Sequence, residues 1–155
     1  PSDDSDEALI YSLGQKAKTV FEELIIDKSR ISQYELITSE TFTSYGVCQF
    51  SFVKSINGFN TNDTLSIAID RDGKIKSYTG NRQGIFDNLT VNADMVDIEK
   101  FIDEKVNSRY KNQTVKYNVN SMTIDKKKNK FYIRCFVGVE TEEYITGDEY
   151  EYRLK

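Results

Sequence analysis

Histidine and tryptophan are both absent from the 155 residues of this chain, and proline occurs only at residue 1. The lack of histidine removes the commonest general base and the commonest ligand of transition metals in proteins. Uninterrupted apolar runs extend over only a few residues, whereas a helix that crosses a bilayer needs about 20. The sequence therefore predicts no membrane-spanning segment, no bound metal and no cofactor.

Cysteine is also scarce: Cys48 and Cys135 are the only two, and they form no CxxC pair. That spacing, without histidine, argues against a zinc site. A catalytic cysteine needs a base and an electropositive environment, and neither is visible beside these residues. Because both lie on the apolar faces of predicted strands, we expect two buried thiols that pack as small apolar side chains. A disulfide between them is the alternative that an exported protein would permit.

The charge balance bears on the class of partner. Charged residues make up 30% of the chain, apolar residues 38%, and the formal net charge is -4. An acidic protein is a poor ligand for nucleic acid, because that binding depends on neutralising phosphates. The basic residues Lys126-Lys127-Lys128 and Lys130 surround Asn129, in what the pattern predicts to be a solvated hairpin turn. The composition is that of a globular domain that does not bind nucleic acid.

The first half of the chain predicts a helix followed by strands. Residues 1–6 are expected to form a flexible lead-in, and residues 7–26 show the apolar spacing of an amphipathic helix, with Asp6 as its N-cap. Gly14 weakens the middle of this helix and leaves room for another backbone to approach. Asn57-Gly58 and the polar residues 60–64 predict a loop.

One hairpin has the clearest pattern in the chain. Leu65, Ile67 and Ile69 alternate with smaller or polar residues, as in a strand with one buried face. Asp72-Gly73 then provides the positive φ angle of a tight turn. A calcium loop of the EF-hand type is the alternative interpretation of these acidic residues. It is disfavoured because Ala68 occupies the first ligand position and Thr79 the position of the closing glutamate.

The second half repeats the order of elements without repeating the sequence. Residues 93–110 predict a helix, with Asp94 and Asp97 near its positive N-terminal end, and strictly alternating strands follow. We therefore predict an α+β fold with about two helices and seven strands. Its two helix-plus-antiparallel-sheet units span residues 7–80 and 93–155, joined by a crossover over residues 81–92, with the second unit packed on the first.

The hairpin over residues 65–78 resembles one found in PepSY-type and related cystatin-like domains. In those domains a strand ends in an Asp-x-Asp-Gly-Lys-Ile turn and returns as a strand ending in Ser-Tyr, as Asp70 to Ile75 and Ser77-Tyr78 do here. The resemblance implies a bacterial, extracytoplasmic domain without catalytic residues, found in secreted proteins and lipoproteins, and in some settings a domain that binds or inhibits peptidases. The second unit lacks this turn.

An extracytoplasmic location is also the expectation from the first residues. The chain opens with the acidic segment Ser2-Asp3-Asp4-Ser5-Asp6, which is typical of a sequence that follows a removed export signal or lipid anchor.

Aromatic residues near the C-terminus give the most concrete binding hypothesis. Tyr144, Tyr150 and Tyr152 lie beside an acidic loop and on the final predicted strand. If that strand is an edge, it can receive another chain by strand addition. We therefore interpret the chain as a non-catalytic binding module with a protein partner.

Two alternatives stay open at this stage. One is a carrier that holds a small ligand in an apolar cavity. The other, less favoured, is a hydrolase that uses a pair of the carboxylates crowded between Glu140 and Glu151.

Overall fold

The computed structural model describes residues 4–81 and 84–154, and it confirms the α+β class with two long helices and seven strands. The elements are α1 (Asp4–Leu24), a short 3₁₀ helix (Lys28–Gln33), β1 (Tyr34–Thr38), β2 (Val47–Ile56), β3 (Phe59–Asp70), β4 (Ile75–Gly80), α2 (Met95–Arg109), β5 (Lys116–Lys127), β6 (Lys130–Glu140) and β7 (Ile145–Arg153). Neither long helix combines the length with the apolar composition that crossing a membrane requires, within the described ranges.

The chain divides into two compact units. Unit 1 comprises the residues up to Ser55 together with Thr61–Asn88, and unit 2 comprises Ile56–Asn60 together with the residues from Leu89 onward. The division therefore differs from the predicted one, because the tip of the β2–β3 hairpin belongs to unit 2. Of the predicted crossover, residues 82–83 lie outside the described part of the chain, as do residues 1–3 of the predicted lead-in.

The core of unit 1 lies between α1 and the strands β1, β2 and β3, which are neighbours in that order, with β4 paired to β3. Ala17 and Phe21 of α1 are buried, and the Phe21 ring stacks on Phe52 of β2 with 4.2 Å between ring centroids. Tyr34, the first residue of β1, meets the same Phe21 ring edge-on. These contacts place the C-terminal half of α1 over β1 and β2.

The alternating residues of the predicted hairpin lie in this core, as expected. Leu65, Ile67 and Ile69 are all buried in β3. The turn that follows is closed by the carboxylate of Asp70, which accepts hydrogen bonds from the N–H groups of Asp72 and Lys74 at 3.0 and 2.9 Å. The acidic residues of this turn therefore cap the backbone.

Three sequence predictions are wrong here: the loop over residues 60–64, the lead-in over residues 4–6 and the N-cap at Asp6. Residues 60–64 belong to β3 instead of a loop, because Asn57 and Gly58 alone turn the chain, with φ angles of 49° and 84°. Helix α1 begins at Asp4, so residues 4–6 are helical and not a lead-in. Asp6 is consequently inside the helix, where its carboxylate pairs with Arg71 at 2.7 Å.

A buried charge fixes the start of the crossover to unit 1. Lys54 of β2 is 2% exposed, and its ammonium lies 2.6 Å from a carboxylate oxygen of Asp87. Arg30 of the 3₁₀ helix reaches the same oxygen at 3.2 Å and also pairs with Asp27. Since an unpaired ammonium in this position would be costly, Asp87 holds its segment against β2.

In unit 2 the strands β5, β6 and β7 are neighbours in that order, all antiparallel. Helix α2 begins at Met95, two residues later than predicted, and Asp94 is its N-cap, with a carboxylate that accepts the Val96 N–H at 2.9 Å. Its buried side is Ile98, Ile102 and Val106. The basic segment around Asn129 is the predicted β5–β6 hairpin turn.

Removing the charge of Asp87 should destabilise the protein strongly. We expect Asp87→Asn to lower the free energy of unfolding by about 3 kcal/mol, because the Lys54 ammonium keeps its burial and loses its counter-charge. Asp27→Asn is the matched control and should change stability little, because the Asp27 side chain is 50% exposed and Arg30 keeps its ion pair with Asp87. Urea denaturation of both variants measures the difference, and equal effects would contradict the role given to Lys54.

Candidate functional site

Among the described residues, no strand pairs with the outer side of β7, which is therefore an edge strand in unit 2. Two hydrogen bonds of 2.9 Å mark the ends of the β6–β7 ladder: the Leu154 N–H donates to Phe131 O, and the Thr141 N–H donates to Tyr144 O. The register between β6 and β7 does not shift between these two ends. Hydrogen-bonded pairs recur at every second residue of an antiparallel ladder, so the even-numbered residues of β7 bond to β6. The outward N–H and C=O groups belong to Ile145, Gly147, Glu149, Glu151 and Arg153.

Helix α2 is attached to β7 by a buried hydrogen-bond network. Asp148 accepts hydrogen bonds from the hydroxyls of Tyr110 and Tyr150 at 2.6 and 3.0 Å, and Arg109 lies 3.7 Å from its other oxygen. The hydrogen bond to Asp148, together with burial, raises the pKa of Tyr110 to about 12. The same hydroxyl-to-carboxylate contact joins Tyr34 to the fully buried Asp63 in unit 1.

The three tyrosines predicted as a binding edge occupy two different settings. Tyr150 and Tyr152 lie on β7 with their side chains toward α2, where the Tyr152 ring meets Phe101 edge-on at 5.3 Å between centroids. Both are half-buried. Tyr144 lies in the preceding loop and is 47% exposed, and the adjacent Ile145 is 79% exposed. Tyr150 and Tyr152 therefore hold β7 against α2, whereas Tyr144 and Ile145 leave apolar surface exposed to water.

A groove of about 550 Å³ runs between α2 and β7. Its lining combines rings and cations from the helix with the strand edge, and consists of Phe101, Lys105, Arg109, Glu149, Tyr150 and Glu151. Lys105 lies over the face of the Phe101 ring. A second, polar cavity of about 470 Å³ adjoins the start of β7 and contains Tyr144 and the acidic residues Glu142 and Glu143.

Three of the six carboxylates between Glu140 and Glu151 are committed to structural pairs. Asp148 holds the tyrosine hydroxyls, Glu149 pairs with Arg134 at 2.6 Å, and Glu151 pairs with Lys127 at 3.5 Å. Both cysteines are free buried thiols, and burial raises the pKa of the Cys135 thiol to about 11, which disfavours the reactive thiolate. The described residues contain no cluster of acidic or thiol side chains able to hold a metal ion.

Unit 1 also contains a groove, which was not predicted from the sequence. It measures about 640 Å³ and lies between α1 and β1. From α1 it is lined by residues at helical spacing, among them Glu7, Tyr11, Gly14 and Lys18, and from β1 by Leu36 and Thr38. Gly14 was the available signal, because a glycine inside a helix costs about 1 kcal/mol relative to alanine.

Comparison of this chain with protein-family models, with curated proteins and with solved structures finds no match. The function must therefore be argued from the two grooves and the strand edges beside them.

Loss of the Tyr110 hydroxyl should change the stability at high pH. The folded-state pKa of about 12 exceeds the ordinary value of 10, so above pH 10 the unfolded chain releases this proton before the folded chain does. The stabilisation is present below pH 10 and is lost as the pH rises toward 12. We expect the free energy of unfolding, measured by urea denaturation, to fall less between pH 10 and pH 12 in Tyr110→Phe than in the wild type. Tyr45→Phe is the control, because Tyr45 is 91% exposed, and its free energy of unfolding should fall as in the wild type.

Proposed function

We propose that this protein is a non-catalytic, extracytoplasmic binding module that takes an extended segment of a partner protein onto the outer side of β7. The observation that supports this proposal is the outward row of N–H and C=O groups along β7, which borders the groove against α2. An extended peptide added at such an edge gains main-chain hydrogen bonds and directs alternate side chains into the neighbouring groove.

The groove defines the chemistry of the bound segment. Side chains that point toward α2 meet the rings of Phe101 and Tyr150 and the cations of Lys105 and Arg109. An aromatic or aliphatic side chain followed two residues later by an acidic one fits this lining, because alternate residues of an extended segment share a face. Tyr144 and Ile145, at the start of β7, are also exposed, and Tyr144 lines the separate polar cavity.

A different protein fits this edge better than a second copy of the same chain. Antiparallel pairing of β7 with itself about its midpoint would place Glu149 opposite Glu149. Like charges directly opposite on paired strands are destabilising. Charged residues on an edge strand are a common defence against such self-pairing.

The non-catalytic role is part of the proposal and rests on the absence of histidine from the sequence and on the pairing of Asp148, Glu149 and Glu151 with structural partners. The extracytoplasmic location rests on the resemblance of the hairpin to PepSY-type domains. The carrier and hydrolase alternatives have no comparable feature in their favour.

Blocking the edge of β7 with proline should abolish partner binding. The N–H of Gly147 points outward, and a Cβ built on Gly147 meets no atom within 4 Å. Gly147→Pro therefore removes one outward donor and spares the β6–β7 ladder. We expect linear peptides of about eight residues, selected from a displayed library against the wild-type protein, to lose at least tenfold in affinity for this variant.

Gly147→Ala is the matched control, because it keeps the N–H, and it should bind the selected peptides normally. Calorimetric titration of the selected peptides into each variant provides the affinities, and thermal denaturation verifies that both variants are folded. Selected peptides that bind Gly147→Pro as tightly as the wild type would refute strand addition at β7.

A further inference from the structure

The groove between α1 and β1 also borders a strand edge, because β1 pairs only with β2 within residues 4–81 and 84–154. The Ser39 N–H donates to Gln49 O at 3.0 Å, in the register that pairs β1 with β2. Residues 35, 37 and 39 therefore bond to β2, and Leu36 and Thr38 turn their N–H and C=O groups outward. We call this edge, together with the groove-lining side of α1, the α1–β1 face.

We propose that the α1–β1 face is the contact between two copies of this chain, related by a two-fold axis. In this dimer β1 pairs antiparallel with β1 of the second copy, and the two α1 helices lie antiparallel against each other above the joined strands. The proposal concerns unit 1 alone, so it is independent of partner binding at β7.

The helix side of the face is self-complementary. In an antiparallel pair of identical helices related by a two-fold axis, the numbers of two residues that lie opposite each other always have the same sum. If that sum is 25, Glu7 lies opposite Lys18 of the second copy, and Tyr11 lies opposite Gly14 of the second copy. Unlike charges therefore meet at both ends of the helix pair. In the middle, Tyr11, which is 73% exposed, faces the second copy at the level of Gly14, which its own chain buries against Phe50 and Leu36.

The strand side leads to the same axis. A Cβ on Gly14 would be 4.0 Å from Leu36, so Gly14 lies at the level of Leu36 along β1. The two-fold axis passes α1 between residues 12 and 13, which is about 2 Å from Gly14 along the helix in the direction of Thr38. That distance is less than one residue of a strand, which places the axis at about residue 37. An axis there pairs Leu36 with Thr38 of the second copy, and these are the residues whose backbone groups point outward.

The spacing between the helices is also compatible. Contacts of Phe21 with Phe52 and with Tyr34 place α1 above β1 and β2. Because neighbouring strands are about 4.8 Å apart, helices so placed in the two copies would be separated by about 10 Å, a distance at which helices pack.

The charges favour a second copy over other occupants. The groove lining includes Glu7 and Glu40 toward one end and Lys18 toward the other. Within residues 4–81 and 84–154, no ion pair joins these three to another side chain of the same chain. A two-fold axis brings the basic end of each copy to the acidic end of the other.

A charge swap tests this arrangement. Analytical ultracentrifugation of the full chain over a range of concentrations should show a monomer–dimer equilibrium. Glu7→Lys alone and Lys18→Glu alone should each weaken dimerisation about tenfold, since each places like charges together at both ends. The double variant Glu7→Lys/Lys18→Glu restores unlike pairs and should recover the wild-type dissociation constant.

Thr38→Pro provides a second test, because it removes an outward N–H without removing a β1–β2 bond. It should abolish the dimer, and Thr38→Val, which keeps the N–H, should not. Four results would each overturn the proposal: a monomer up to millimolar concentration, a dimer insensitive to Thr38→Pro, a double swap that fails to recover the dimer, or a dimer lost in Gly147→Pro.

Discussion

In an antiparallel ladder each residue directs its N–H and C=O to one side only, so a strand with a single neighbour leaves every second residue turned outward. Strand β1 ends the strand order in unit 1, and β7 ends it in unit 2. Both candidate surfaces follow from this constraint. The hydrogen bonds of Ser39 and Leu154 determine which residues bond inward, and so identify the outward residues without reference to any side chain.

The helices supply the side chains that line the groove beside each edge strand. In unit 1, Phe21 fixes α1 above β1 and β2 through two ring contacts, and Gly14 leaves space toward β1. In unit 2, Asp148 ties the end of α2 to β7 through Tyr110, and Phe101 packs on Tyr152. Each edge therefore has a groove beside it, lined by a helix that buried contacts hold in place.

The sequence predicted the parts of the fold that depend on local pattern. Alternation placed Leu65, Ile67 and Ile69 in a buried strand, and apolar spacing placed a helix over residues 93–110, where α2 spans Met95–Arg109. The strand over residues 60–64 was not predicted because these residues are polar. Asp63 is buried there only because its carboxylate accepts a hydrogen bond from the hydroxyl of Tyr34, which is distant in sequence. No local pattern contains that information.

The candidate site was predictable only in part for the same reason. Tyr144, Tyr150 and Tyr152 were correctly assigned to the neighbourhood of the final strand, but which side of β7 is free depends on its register with β6. Register is a property of paired strands, and one strand does not specify it. Gly14 did indicate a close approach to α1, yet the atoms nearest to it are side-chain atoms of Phe50 and Leu36, so its own chain supplies no backbone there.

Charge distinguishes the two edges. Pairing β7 with itself would oppose identical carboxylates at Glu149, whereas pairing the α1–β1 face with itself would oppose Glu7 and Lys18. Exposed charges contribute little to affinity individually, but they discriminate between arrangements, because like and unlike pairs differ in sign. In the part of the chain that the structure describes, β1, β4 and β7 each pair with one strand only. Such discrimination is needed because backbone groups alone would pair with any of these edges. The charge pattern thus favours self-association at β1 and leaves β7 open to a partner of different sequence.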